Sequence, residues 1–227
     1  MRLLLANPNT SVATTAAMLA IARGAAPEGV AVEGATAQSG AALITDEPAL
    51  AAAAVAVAAL LRPRAVRGCS GVIVAAFGDP GLDALRRTLG MPVTGIAEAA
   101  MAEAAAHGRF AVVTTTPALV AAIAGTAARH GHGALFGGVR LTPGDPHALM
   151  QDPARLQDAL ASACAEAVRD GAAAIVIGGG PLATAARALQ GRFPVPLVEP
   201  VPAAVRLAVL RGYQALTQPD GSRASSR

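Results

Sequence analysis

Few side chains in this chain of 227 residues could carry a proton to or from a substrate. Asp79, in the turn "FGDPG", is the acidic candidate. Apolar surroundings would raise its pKa toward that of a general acid or base, although an Asp followed by Pro and Gly is also a turn former. His147, in "LTPGDPHALM", is the histidine best placed for acid–base work, because a loop rich in Pro and Gly can fold over a cleft. Glu98 begins a helical stretch and suits the positive end of that helix. Glu199 follows a strand and precedes Pro200, which leaves it open between a helix-terminal acid and a cleft carboxylate. His107, His130 and His132 flank helix ends or a glycine loop and read as surface residues; "HGHG" at 130–133 offers two metal ligands without a third, so no metal is expected. Cys69 and Cys164 stand far apart without metal-ligand spacing.

A second set of residues could hold a ligand without titrating. Asn7, Asn9, Thr10 and Ser11 follow the first apolar run, and Ala76, Phe77 and Gly78 lead into the turn ending at Gly81. Thr114, Thr115 and Thr116 follow a third run, and Gly178, Gly179 and Gly180 a fourth. Amides, hydroxyls and backbone N–H groups at helix starts suit an anion, a carboxylate or a carbonyl oxygen that gains charge. Any one Ser or Thr there could instead cap the next helix; the same polar loop in both halves of the chain favours a shared ligand.

Such loops need strands and helices to position them. Strand-like runs fall at 2–6, 30–35, 72–77, 93–96, 110–114, 138–141, 174–177 and 197–199. Helical spacing is found at 10–23, 47–62, 83–89, 98–107, 118–130, 153–170, 182–189 and 202–213. This alternation predicts an α/β fold with parallel sheets flanked by helices, and parallel sheets bind ligands at the carboxyl ends of their strands. An internal repeat adds a division. "RLLLANPNTSVATTAAMLA" from Arg2 parallels "RFAVVTTTPALVAAIAGTA" from Arg109, and "GVIVAAFGDPGLDALRRTL" from Gly71 parallels "AAIVIGGGPLATAARALQG" from Ala173. Two pseudo-symmetric lobes follow, 1–97 with 203–217 and 98–202, with a ligand cleft between them. The polar segment 218–227 is expected to be a disordered tail.

Composition removes several classes of function. All 18 basic residues are arginine, so neither a pyridoxal Schiff base nor a phosphate-loop lysine is available. The net charge is +3 but the arginines are scattered without aromatic partners, which argues against nucleic acid as a partner. No apolar run reaches the roughly 20 residues of a membrane helix, and the run before Asn7 is short for a secretory signal. A cytoplasmic protein with a small-molecule substrate is expected, and isologous packing of such lobes makes a homo-oligomer the expected assembly.

The segments "NPNTS" at 7–11, "AAFGDPGL" at 75–82, "GIAEAAM" at 95–101, "RFAVVTTT" at 109–116 and "AAAIVIGGG" at 172–180 resemble the aspartate/glutamate/hydantoin racemase family, in particular its hydantoin and allantoin racemase branch. The resemblance spans nearly the whole chain. It implies two α/β lobes, no cofactor, and two cysteines, one from each lobe, that take and return a proton on opposite faces of the substrate's acidic carbon. The substrate it implies is a small carbonyl compound, a 5-substituted hydantoin or an amino-acid-like carboxylate. At the places where the resemblance implies those cysteines stand Ala76 and Gly179. Methyl and hydrogen exchange no protons, and Cys69 and Cys164 lie elsewhere along the chain. Three readings stay open: a racemase-family enzyme acting without two thiols, an enzyme of different chemistry on a similar ring (a hydrolase or lyase) that uses Asp79, His147 or an activated water, and a non-catalytic ligand-binding protein.

Overall fold

The computed structural model describes residues 1–217; the expected tail at 218–227 lies outside the described residues. Strands β1 (Arg2–Asn7), β2 (Ala31–Thr36), β3 (Gly71–Val74) and β4 (Val93–Gly95) form one parallel sheet in the order β2-β1-β3-β4. Strands β5 (Phe110–Thr114), β6 (Phe136–Leu141), β7 (Ala174–Ile177) and β8 (Leu197–Val198) form a second in the order β6-β5-β7-β8, also parallel. The two orders are the same, so the repeat in the sequence is a repeat of topology. In each sheet the direction of winding reverses between the first and third strands, β1 and β3 or β5 and β7, which is where a ligand crevice opens.

Alternation along each strand divides the core. Leu3, Leu5 and Ile73 of the first sheet share one buried cluster with Phe110, Val112 and Val176 of the second. Their neighbours face away: Leu4, Val72 and Val74 join an outer cluster in lobe 1, while Ala111, Val113, Ile175 and Ile177 join another in lobe 2. Each such Leu, Ile, Val or Phe side chain withdrawn from water contributes roughly 1.5–3 kcal/mol, and with few aromatics the inner layer is filled by helices of small residues. Two helices make this shared core continuous. Helix α4 (Ile96–Ala105) leaves the first sheet and packs on β5, β7 and β8, and α9 (Pro200–Thr217) leaves the second and packs on β3 and β4. They also lie against each other, clasped by Arg206 bonding Glu103 and by Arg211 bonding Glu98.

The remaining helices are α1 (Val12–Ala25), α2 (Glu47–Leu60), α3 (Leu82–Thr88), α5 (Val120–Arg129), α6 (Pro146–Gln151), α7 (Pro153–Arg169) and α8 (Ala183–Ala188). Ser11, Asp46, Asp145 and Asp152 cap α1, α2, α6 and α7 by accepting a backbone N–H of the first turn. Two expectations need correction. The stretch carrying His147 is a capped helix, α6, because Asp145 and Pro146 supply the start signals that an apparent loop concealed. The third strand stops at Val74, so Ala75, Ala76 and Phe77 belong to the turn that follows it. Among the described residues no helix is long and apolar enough to cross a membrane.

Candidate functional site

The turn after β3 and the glycine run after β7 meet where the lobes face each other. Ala76 stands two residues beyond the end of β3 and Gly179 two residues beyond the end of β7, equivalent places in the two sheets. Both line a single cavity of about 50 Å³, together with Asn9 from the loop after β1 and Thr114, Thr115 and Thr116 at the end of β5. Its walls are apolar: Leu43 and Ile44 from the loop before α2, Leu119 and Ile123 around the start of α5, and Met150 from α6. Those wall residues carried no signal in the sequence, since an isolated Leu, Ile or Met in a loop or on a helix looks the same whether it covers a cavity or a core.

Several backbone donors among the residues that line the cavity are unpaired. Among the described residues, the backbone N–H groups of Ala76, Phe77, Thr115, Thr116, Gly179 and Gly180 have no hydrogen-bond acceptor. Three loops at the carboxyl ends of three strands therefore gather residues with unpaired donors around one cavity, an arrangement suited to holding an oxygen that carries negative charge. Thr114 and Thr116 share a hydroxyl–hydroxyl bond of 3.0 Å. No ionisable side chain is among the residues lining the cavity.

Gly179 has a backbone φ of 151°, a value L side chains seldom adopt, and a Cβ built there would lie 3.1 Å from Leu182 Cγ. Gly178 is constrained by a close approach: a Cβ would stand 2.7 Å from the Phe77 ring of the opposite lobe. The glycine run is thus what lets the two lobes close on each other at the cavity floor.

The side chains expected to transfer protons are dispersed. Asp79 is buried and turned away from the cavity: its Oδ1 and Oδ2 accept the N–H groups of Ala97 and Glu98 at 2.9 and 2.7 Å, capping α4 from another segment. It adopts a φ of 52°, alone among the described non-glycine residues in having a positive value. Burial pushes its pKa up to about 7, opposed by the two N–H bonds and reinforced by the nearby Glu98 carboxylate. His130 Nε2 stands 3.8 Å from Asp79 Oδ2, and its own pKa is lowered by burial. Gly78, Asp79 and His130 line a separate hollow of about 380 Å³ on the far side of the turn. Glu98 is the centre of an ion cluster with Arg86 at 2.6 Å and Arg211 at 2.7 Å; its partial burial would raise its pKa, but the bonds from Arg211 and Arg86 overcome this and hold it at about 2. Glu199 pairs with Arg187 and accepts from Gln190, outside the cavity. His147 is exposed and lines an outer hollow of about 620 Å³ that shares Leu43, Met150 and Pro181 with the cavity.

The polar loop after β1 is split. Asn9 lines the cavity, while Asn7 is fully buried with its side chain bonded to Asn9, Ser11 and Thr15, and Thr10 donates its N–H to Ala41. Cys69 packs half-buried at the outer edge of lobe 1, and Cys164 is buried in α7, where burial pushes its thiol up to about 12. His132 packs edge-on to Phe110, and among the described residues no three His, Cys, Asp or Glu side chains are grouped to hold a metal ion.

Residues 3–208 match the family described as Asp/Glu/Hydantoin racemase. The hydantoin racemase of Paenarthrobacter aurescens is 30% identical over 221 residues, covering 94% of this chain and 93% of its own. Among solved structures, an allantoin racemase from Klebsiella pneumoniae superposes with a TM-score of 0.88 at 33% identity, covering 95% of this chain and 88% of that one. An allantoin racemase from Pseudomonas fluorescens gives the same TM-score at 29% identity, covering 95% and 92%.

Proposed function

The chain belongs to the Asp/Glu/hydantoin racemase family, and on that premise we propose that its cleft binds a small carbonyl compound of the hydantoin kind without passing the ligand's acidic hydrogen between two thiols. One observation carries this reading. The cavity presents unpaired N–H donors from both lobes but no ionisable side chain, and its equivalent positions beyond β3 and β7 hold Ala76 and Gly179. A carbonyl or carboxylate oxygen finds donors there; a proton on carbon finds no base within the lining.

A catalytic reading is left with His147. Asp79 is occupied in capping α4, whereas His147 stands in the hollow that adjoins the cavity through Leu43, Met150 and Pro181. An imidazole reached by the ligand's substituent could serve acid–base chemistry on that substituent. The reading as a whole is of a cytoplasmic, cofactor-independent protein that assembles as a homo-oligomer; light scattering should then return a mass above the 22.3 kDa of one chain.

The test uses single enantiomers of allantoin and 5-methylhydantoin, with binding followed by amide NMR in ordinary water and exchange of the C5 hydrogen followed by proton NMR in deuterated water. Binding should shift the amide resonances of Thr115 and Gly180 while the hydrogen on C5 exchanges no faster than in buffer. Exchange above the buffer rate would replace the binding reading with a catalytic one, and His147→Ala would show whether the imidazole supplies it. Absence of any shift would refute the cleft as the site.

A further inference from the structure

Asn9 has its amide orientation fixed by groups that have no choice of role. Its Oδ1 accepts from the backbone N–H of Ser11 at 2.9 Å and from Asn7 Nδ2 at 2.7 Å. A backbone N–H can only donate, so the atom facing it is oxygen and the Nδ2 group points the other way. Asn7 is oriented by the same logic, since its Oδ1 accepts the backbone N–H of Asn9 at 3.1 Å. That leaves Asn7 Nδ2 to donate to Asn9 Oδ1, to Thr15 Oγ1 at 2.9 Å and to the Ser11 carbonyl at 3.3 Å. Thr15 Oγ1 in turn lies 2.7 Å from Thr36 Oγ1 at the end of β2. Two strands and a helix thus secure one amide.

The far end of that amide is free. Asn9 Nδ2 has no acceptor among the described residues, and it is not enclosed, for the one polar side-chain atom both enclosed and without a partner among them is Thr142 Oγ1. Asn9 is also the amide side chain that lines the cavity, facing it from lobe 1 beside the unpaired N–H groups of Ala76 and Phe77.

We infer that lobe 1 recognises its ligand through Asn9 Nδ2, which donates to a carbonyl or carboxylate oxygen, and that Asn7 is a positioning residue that decides which end of the Asn9 amide meets the ligand. The inference rests on the cleft being the binding site, and it narrows the ligand. The lobe 1 face takes an oxygen and rejects a ring N–H, because a second donor aimed at Nδ2 would leave two buried donors unpaired. Asn7 itself touches no ligand; the loop after β1 therefore holds one reading residue and one orienting residue.

The experiment uses Asn7→Asp in the full chain, with allantoin as probe. The substitution keeps the shape but places an oxygen 2.7 Å from Asn9 Oδ1. While the new carboxyl is ionised, its repulsion of Asn9 Oδ1 opposes the bond from the Ser11 N–H, and the Asn9 amide is expected to turn over as the charge outweighs that one neutral bond. When acid protonates it, the carboxyl again donates and the native orientation returns. Allantoin should bind about tenfold more weakly at alkaline pH, the worth of one hydrogen bond to a ligand, and recover as the pH falls, with wild type flat across the same range. A merely structural role for Asn7 would weaken binding equally at every pH, and a pH-independent dissociation constant in the variant would overturn the inference with the cleft reading intact. If allantoin and 5-methylhydantoin leave wild type unshifted, the cleft reading is what fails. The inference is then decided without ligand, by the Asn9 side-chain amide resonances, identified by their loss in Asn9→Asp: they must move with pH in Asn7→Asp, and their staying fixed refutes it.

Discussion

Replacing Asp79 by Asn should flatten the pH dependence of stability near neutrality. The carboxyl is buried between the turn after β3 and the start of α4, so a Cβ on Gly95 would fall 2.1 Å from Asp79 Cγ. Burial raises its pKa from 3.8 to about 7 in the folded protein. Between those values the unfolded chain releases a proton that the folded chain keeps, and stability falls as the pH rises through this window. At about 1.4 kcal/mol per unit, roughly three units correspond to about 4 kcal/mol lost between acid and neutral pH. Asn suits the substitution because it tolerates the positive φ of 52° and does not titrate. It adds a pH-independent cost of about 1–3 kcal/mol, because its amide nitrogen faces one of the two N–H groups that the carboxylate accepted. Urea unfolding followed by circular dichroism, from about pH 4 to about pH 8, gives both profiles. The wild-type minus variant difference should slope downward with pH. Parallel profiles would refute the reasoning, and would mean that the N–H bonds and the helix dipole keep Asp79 ionised despite its burial.

Other substitutions separate what the cavity tolerates from what it has lost. Gly179→Cys should cost about 1–3 kcal/mol, because a side chain at φ 151° is strained and meets Leu182, whereas Ala76→Cys on an unstrained turn should cost less than about 1.5 kcal/mol by urea unfolding. Glu98→Gln should lower stability by about 2–4 kcal/mol at neutral pH, since it leaves Arg86 and Arg211 without their anion. Because Glu98 is held at about 2, its contribution in wild type is complete above pH 4.5 and fades as the pH falls toward 2; the same unfolding series in acid checks it. A thiol reagent on the folded protein should modify Cys69, which is partly exposed, and spare Cys164 until denaturant is added, because burial holds that thiol at about 12. Equal rates for the two cysteines would contradict the burial of α7.

The sequence determined the parts of this protein that are local. Alternating runs of Leu, Ile and Val with alanine-rich helical spacing located eight strands and implied parallel sheets in two lobes, because a strand buried on both faces needs an unbroken apolar run and each sheet is covered on both sides. The polar loops were legible too, because Asn, Thr and Gly just beyond a parallel strand stand where ligands bind and helices begin. What the tertiary structure decided is direction. Ala76 and Asp79 belong to one turn and are linked by the bond from Asp79 N–H to the Ala76 carbonyl, yet Ala76 faces the cavity and Asp79 faces the start of α4. Nothing in "FGDPG" distinguishes those two sides, since they exist only once α4 has crossed to the second lobe. Asn7 and Asn9 differ in the same way, one enclosed by Thr15 and Ser11, the other opening on a space walled by Ile44, Ile123 and Met150. A cavity is a property of surfaces brought together from distant parts of the chain; the residues that could line it are written in the sequence, and only packing selects which of them do.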